Sequence, residues 1–164
     1  MYHLAMPASA HITMVCQKVD ARFNVIRVRP SEILKSLLAH GWRLQFTGQE
    51  EIECRFVRRP ESFDVVEIRG TPDQVLDAIR EQEQGMASIS IYVWWEATEI
   101  GGHLTIEQQE HTQHLRLSMQ VLSRWKLLPG NDGYTDTTWF LPKLIEPLKT
   151  LELGVAEVTS WWHW

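Results

Sequence analysis

The sequence predicts an α+β fold: two layers, a mostly antiparallel sheet and about three helices. Three observations predict it. Apolar residues alternate at period two in segments spread along the chain, three other segments are apolar on one helical face only, and consecutive strand segments are joined by short polar turns. The 164 residues, 44% hydrophobic and 23% charged, fit one domain spanning the chain. A domain of this size buries roughly 70% of its unfolded surface and needs no crosslinks. Its two cysteines, Cys16 and Cys54, therefore read as buried reduced thiols in strands.

The elements follow in order. Residues 11–18 alternate Ile12, Met14 and Cys16, so one face of the sheet is buried. Ser31 can cap a helix through about His40, with Ile33, Leu34, Leu37 and Leu38 on its apolar face and Gly41 as the stop. Strands at about 42–47 and 51–57 are joined by "TGQEE"; in the second, Ile52, Cys54 and Phe56 face away from Glu53, Arg55 and Val57. "TPDQ" opens the next helix, with Thr71 as N-cap, Pro72 at the first helical position, and Gln74 completing a capping box. Val75, Leu76 and Ile79 form its apolar face, and Gly85 ends it. "FNVIRVRPSEIL" from Phe23 and "FDVVEIRGTPDQVL" from Phe63 align at an offset of 40, which suggests a possible strand-helix-strand-strand internal repeat.

The second half reads as strands, a helix and a strand. In 88–95, Ile89, Ile91, Val93 and Trp95 share one face and Tyr92 and Trp94 the other. After a turn at Gly101-Gly102, "HLTIEQQ" and "HLRLSMQVL" flank the loop "EHT" as a hairpin. The expected register sets Leu104 against Leu117 and Ile106 against Leu115 on the inner face; outward, it sets His103 against Ser118, Thr105 against Arg116 and Glu107 against His114. "PGNDG" is a turn before a helix at about 137–150, where Pro142 is tolerable if it sits in the first turn and Pro147 is expected to kink or split the helix. A last strand, 154–162, presents Glu157, Thr159 and Trp161 on one side and Ala156, Val158 and Trp162 on the other.

Charge and motifs bound the function. The net charge is −5, and the excess lies entirely in residues 83–164, which hold 5 basic and 10 acidic side chains and seven of the eight tryptophans. An acidic surface repels phosphate backbones and attracts basic partners, which argues against nucleic-acid binding. Ala8-Ser9-Ala10 lacks the basic and apolar stretches of a signal peptide, and nothing approaches a membrane span, so a cytoplasmic location is expected. No nucleophile elbow, phosphate loop or zinc spacing occurs, and no cofactor is implied. His103, Glu107 and His114 could line a cleft as an acid/base or metal-binding cluster, the reading in which the chain is an enzyme or small-ligand binder.

The stronger candidate is an aromatic and charged outer face. Tyr92, Trp94 and Trp161 would stand among His103, Glu107, His114, Arg116 and Glu157, with Glu96 and Glu99 in the adjoining turn. Rigid aromatic side chains and Arg favour protein interfaces because they bury much area for little lost entropy. Whether Trp94 is exposed or covered stays open from the sequence.

The run "IYVWWEATEIGGHLTI", followed by a polar hairpin and "TDTTWFLPKLIEPLKTLELGVAEVTSW", resembles small cytoplasmic immunity proteins of bacterial polymorphic-toxin, contact-dependent and type VI secretion systems. The likeness is carried by Glu99-Ile100-Gly101-Gly102 and by Thr135-Asp136-Thr137-Thr138-Trp139, and it covers roughly the second half. It implies a non-catalytic role: binding a cognate secreted toxin, such as a nuclease, and blocking its active site or a movement it needs. An adaptor or chaperone would show the same features.

Overall fold

The computed structural model describes residues 9–18, 28–58, 64–108, 114–121, 127–128 and 131–163. The strand expected from Phe23 lies largely outside them, and the "EHT" loop wholly so. The elements are β1 (Ser9–Lys18), α1 (Pro30–Ala39), β2 (Trp42–Arg43), β3 (Ile52–Arg58), β4 (Val65–Gly70), α2 (Pro72–Gln82), β5 (Met86–Trp95), β6 (Gly101–Gln108), β7 (His114–Val121), β8 (Leu127–Leu128), β9 (Asn131–Thr135), α3 (Thr137–Lys149) and β10 (Leu153–His163). The fold is α+β, as the sequence predicts. Eight strands form one antiparallel sheet in the order β10-β1-β7-β6-β5-β3-β4, with β2 also pairing β5, while β8 and β9 form a separate ribbon. None of the described helices is long and apolar enough to cross a membrane.

Alternation places the core on one side of the sheet. Ile12, Cys54, Ile91, Leu104 and Met119 form one inward row, and Met14, Phe56, Ile89, Ile106 and Leu117 the next, all essentially without solvent contact. Ile33, Leu34 and Leu37 of α1, Val75 and Ile79 of α2, and Phe140, Leu144 and Leu148 of α3 close over them in one continuous cluster. Each such side chain, fully buried, stabilises by about 1.5–3 kcal/mol.

The helix ends show local and distant control. Thr71 Oγ1 accepts from Gln74 N at 3.4 Å and Thr71 N donates to Gln74 Oε1 at 3.0 Å, the expected capping box of α2. In α1 the cap moves two residues upstream. Arg29 is the N-cap, Pro30 takes the first helical position, and Glu32 accepts from Arg29 N at 2.9 Å. Ser31 instead gives both its N–H and its hydroxyl to the buried Glu83, each at 3.0 Å, so a carboxylate from beyond α2 sits at the positive end of α1.

Pro142 lies at the sixth position of α3, past its first turn, and neither it nor Pro147 splits the helix, which runs unbroken to Lys149. A proline lacks the N–H that would bond the carbonyl four residues earlier, for Pro147 that of Lys143. The indole of Trp42, buried on β2, fills the gap by donating Nε1–H to the Lys143 carbonyl at 2.9 Å. The Pro147 carbonyl in turn accepts from Ser36 of α1 at 2.8 Å and from Thr150 at 2.7 Å. Around this junction Trp95 meets Trp42 and Trp139 edge-on at 5.3 and 6.0 Å, and the Lys143 ammonium lies 4.0 Å from the Trp139 ring centre and 5.2 Å from that of Trp95.

Other expectations change. The 42–47 strand is only two residues long, because β5 gives most of that edge to β3 and leaves Trp94 and Trp95 for β2. β2 and β3 therefore do not pair with each other as β5 and β6 do, and the two suggested repeat units differ in geometry. Part of the "PGNDG" turn is strand β9. Gly101 and Gly102 are not a turn but the buried start of β6, where an added Cβ would lie 2.2 Å from the Val93 carbonyl oxygen and 2.4 Å from that of Gln120.

Two outcomes are expected. Cys16 and Cys54 are free and buried; burial pushes the Cys16 thiol up to about 11, and burial together with the Glu53 charge pushes that of Cys54 up to about 12. Neither will react with a thiol reagent at mildly alkaline pH until the chain is unfolded; rapid native labelling would contradict this packing. Trp42→Phe strands the Lys143 carbonyl and is expected to cost about 1–3 kcal/mol, read as a lower urea midpoint. An unchanged midpoint would show that the indole bond does not hold α3.

Candidate functional site

No element among the described residues covers the face opposite the helices, and the strand pairing sets its residues in rows. The middle row is a line of hydroxyls on five adjacent strands: Thr159, Thr13, Ser118, Thr105 and Ser90. Thr13 and Ser118 are hydrogen-bonded at 3.3 Å, Ser90 and Thr105 at 3.0 Å. Short side chains keep the middle of the face low.

Aromatic and charged residues stand on either side. One flanking row runs Trp161, His11, Gln120, His103, Tyr92. At one end Trp161, 45% exposed, stacks on His11 with ring centres 5.0 Å apart; at the other Tyr92, 46% exposed, leans on His103 at 4.9 Å and on Trp94 at 6.3 Å. The other flanking row sets Glu157, Val15, Arg116 and Glu107 side by side. Between the rows lies a depression of about 440 Å³, floored by Thr13, Val15, Ser118 and Thr159 and walled by Trp161, Arg116, Glu107 and Glu157.

Eight of the ten sequence candidates lie on this side of the sheet: Tyr92, Trp94, His103, Glu107, His114, Arg116, Glu157 and Trp161. Trp94 and His114 stand at its margins, and Glu96 and Glu99 lie off the strands. Trp94 is half-buried, packed edge-on against Phe46 at 5.0 Å, and its Nε1 is buried without a hydrogen-bond acceptor among the described residues. It belongs to the packing at the rim of the face more than to a free surface. Glu96, with φ 48°, and Glu99 are exposed in the turn beyond Trp94. His114 is exposed at the start of β7, opposite Gln17 of β1.

The hairpin register differs from expectation by two residues. Leu104 faces Met119, Thr105 faces Ser118, and Glu107 faces Arg116 rather than His114. A two-residue slip keeps every side chain on its face, so the apolar pattern cannot exclude it. The observed register brings the Arg116 guanidinium within 3.5 Å of the Glu107 carboxylate. His103 and Glu107 lie four residues apart on β6, roughly 13 Å, and do not converge with His114. The described residues contain no group of three or more His, Cys, Asp or Glu side chains placed to hold a metal.

Sequence reasoning missed the floor of the face. His11, Thr13 and Val15 alternate with the core residues of β1 and were the available signal, but only the fold shows that β1 lies between β7 and β10. A larger hollow, about 600 Å³ over Leu38, Leu44, Phe46 and Leu76, lies between α1, α2 and the segment following β2 and contains none of the candidates.

Burial first, and the Arg55 charge second, hold the His103 imidazole below its ordinary value of 6.5. The neutral ring is thus favoured in the fold: its contribution to stability is complete above about pH 6.5 and is lost as pH falls through the lower native value. An NMR titration is expected to place the His103 midpoint below 6.5, and Arg55→Gln should raise it; a midpoint at or above 6.5 would contradict this environment. Comparison of the chain with protein-family models, with curated proteins and with solved structures returned no match, so the functional reading rests on the geometry of this face.

Proposed function

We propose that the chain is an immunity protein: a non-catalytic binder that neutralises a cognate secreted bacterial toxin by docking it on the open face of the sheet. The observation that carries this reading is a sheet face that no described element covers, with exposed Tyr92 and Trp161 at its two ends. Aromatic anchors beside a shallow depression are the side chains that dominate binding energy at protein interfaces.

The charge pattern supports a basic partner, a nuclease being the fitting class. The depression has two carboxylates, Glu107 and Glu157, and one guanidinium, Arg116. Glu157, Glu96 and Glu99 make no ion pair with a cation among the described residues, which leaves their charge for an incoming Lys or Arg. Such a surface raises the association rate with a basic enzyme, while the aromatic anchors set the dissociation rate.

The test is affinity purification from native cells with mass spectrometry of what co-elutes. A single stoichiometric partner carrying a toxin domain is expected, with its activity abolished on mixing. Tyr92→Ala and Trp161→Ala should each weaken capture by about tenfold or more while leaving the melting temperature nearly unchanged. Trp94→Ala should lower the melting temperature, because it removes the packing on Phe46. Unaltered affinity in both exposed-site variants, or a captured toxin that remains active, would overturn the reading.

A further inference from the structure

We propose that β10 pairs with the β10 of a second copy of this chain, antiparallel, about a two-fold axis at Ser160. Among the described residues, three of the five most exposed large hydrophobic side chains, Val158, Trp161 and Trp162, lie on this one strand. It is the last strand of the sheet, so its second edge pairs with no other described strand. Trp162 keeps part of its surface open even though its Nε1 donates to the Thr135 carbonyl at 3.2 Å.

The two edges of the sheet contrast. β4, at the far edge, is six residues long and carries Glu67 and Arg69, which are ion-paired to each other at 3.1 Å. Short length and charge are the usual protections of an edge strand against further pairing. β10 has eleven residues, no Lys, Arg or Pro, and one acidic residue, Glu157. It lacks those protections where it is most apolar. Its irregularity, where Val15 faces Glu157 but Cys16 faces Val155, falls at Ala156 and leaves 157–163 regularly paired to β1.

That regular stretch is centred on Ser160, and its residues suit their own copy. An antiparallel two-fold pairing keeps each face continuous only if facing positions share parity. About Ser160, Val158 faces Trp162 of the second copy twice on the helix side, and Thr159 faces Trp161 of the second copy on the open side. Exposed apolar groups thereby cover each other, and the sole carboxylate, Glu157, never faces itself. Centring on Val158 instead would run the pairing across the irregularity at Ala156 and set Trp162 against Gly154, and centring on Thr159 would set Trp162 against Ala156 and Trp161 against Glu157.

The test uses the full chain. Sedimentation equilibrium is expected to show a dimer in the micromolar range, and Val158→Lys, whose fold is checked by circular dichroism, should dissociate it by at least tenfold. Residues directly opposite across an antiparallel pair have Cα atoms about 4.5–5.5 Å apart, within disulfide reach. Ser160→Cys should therefore crosslink to its own copy under mild oxidation, whereas Thr159→Cys should not; the buried native thiols leave this readout clean. A monomer at all concentrations, a dimer indifferent to Val158→Lys, or crosslinking of Thr159→Cys in preference to Ser160→Cys would overturn the proposal. So would a monomer whose β10 amides become protected only when a different protein binds.

Discussion

The hydrogen bond from the Trp42 indole to the Lys143 carbonyl is the constraint on which the helical layer depends. Pro147 removes the helix's own donor to that carbonyl, and an outside N–H takes its place. Trp42 supplies that N–H from β2, a strand of two residues held by β5. The bond therefore fixes α3 over one end of the sheet, and Ser36 fixes α1 to the same turn through the Pro147 carbonyl. Trp95 and Trp139 then flank the Lys143 ammonium, and these partly buried indoles pack against the core. What remains outward on β5 is Tyr92, with Trp94 half-covered beside it.

Much of this was legible in the sequence, and the rest was hidden for identifiable reasons. The inward rows and the capping box of α2 were readable because period-two alternation and a four-residue cap are local signals. The position of Ser31 was not, because the carboxylate that captures it comes from Glu83, 52 residues away. The continuity of α3 through Pro147 depends on Trp42, more than a hundred residues upstream in the chain. The hairpin slip was invisible for a different reason: two residues is the repeat of a strand, so both registers bury the same leucines and isoleucines.

The candidate face divides along the same line. Alternation alone put Tyr92, His103, Glu107, Arg116, Glu157 and Trp161 on one side of their strands. No local pattern could bring Glu157 and Arg116 to one depression, since they are joined through Val15 on β1, which pairs with both β7 and β10. The hydroxyl row became a feature only when strands distant in sequence were set in register.

A sheet packed on one side only separates two kinds of selection. Changes at Phe56, Ile91 or Leu117 disturb a filled interior and cost about 1–5 kcal/mol, a large part of the stability of a domain this size. Changes at Thr13, Ser118, Tyr92 or Glu157 meet no overlying element among the described residues, and surface substitutions of that kind usually stay within about 0.5 kcal/mol. The open face can therefore diverge between related chains much faster than the buried one, with the scaffold held constant. Sequence comparison across such a lineage would find the inner positions alike and the outer ones scattered, a pattern in which recognition evolves while folding stands still.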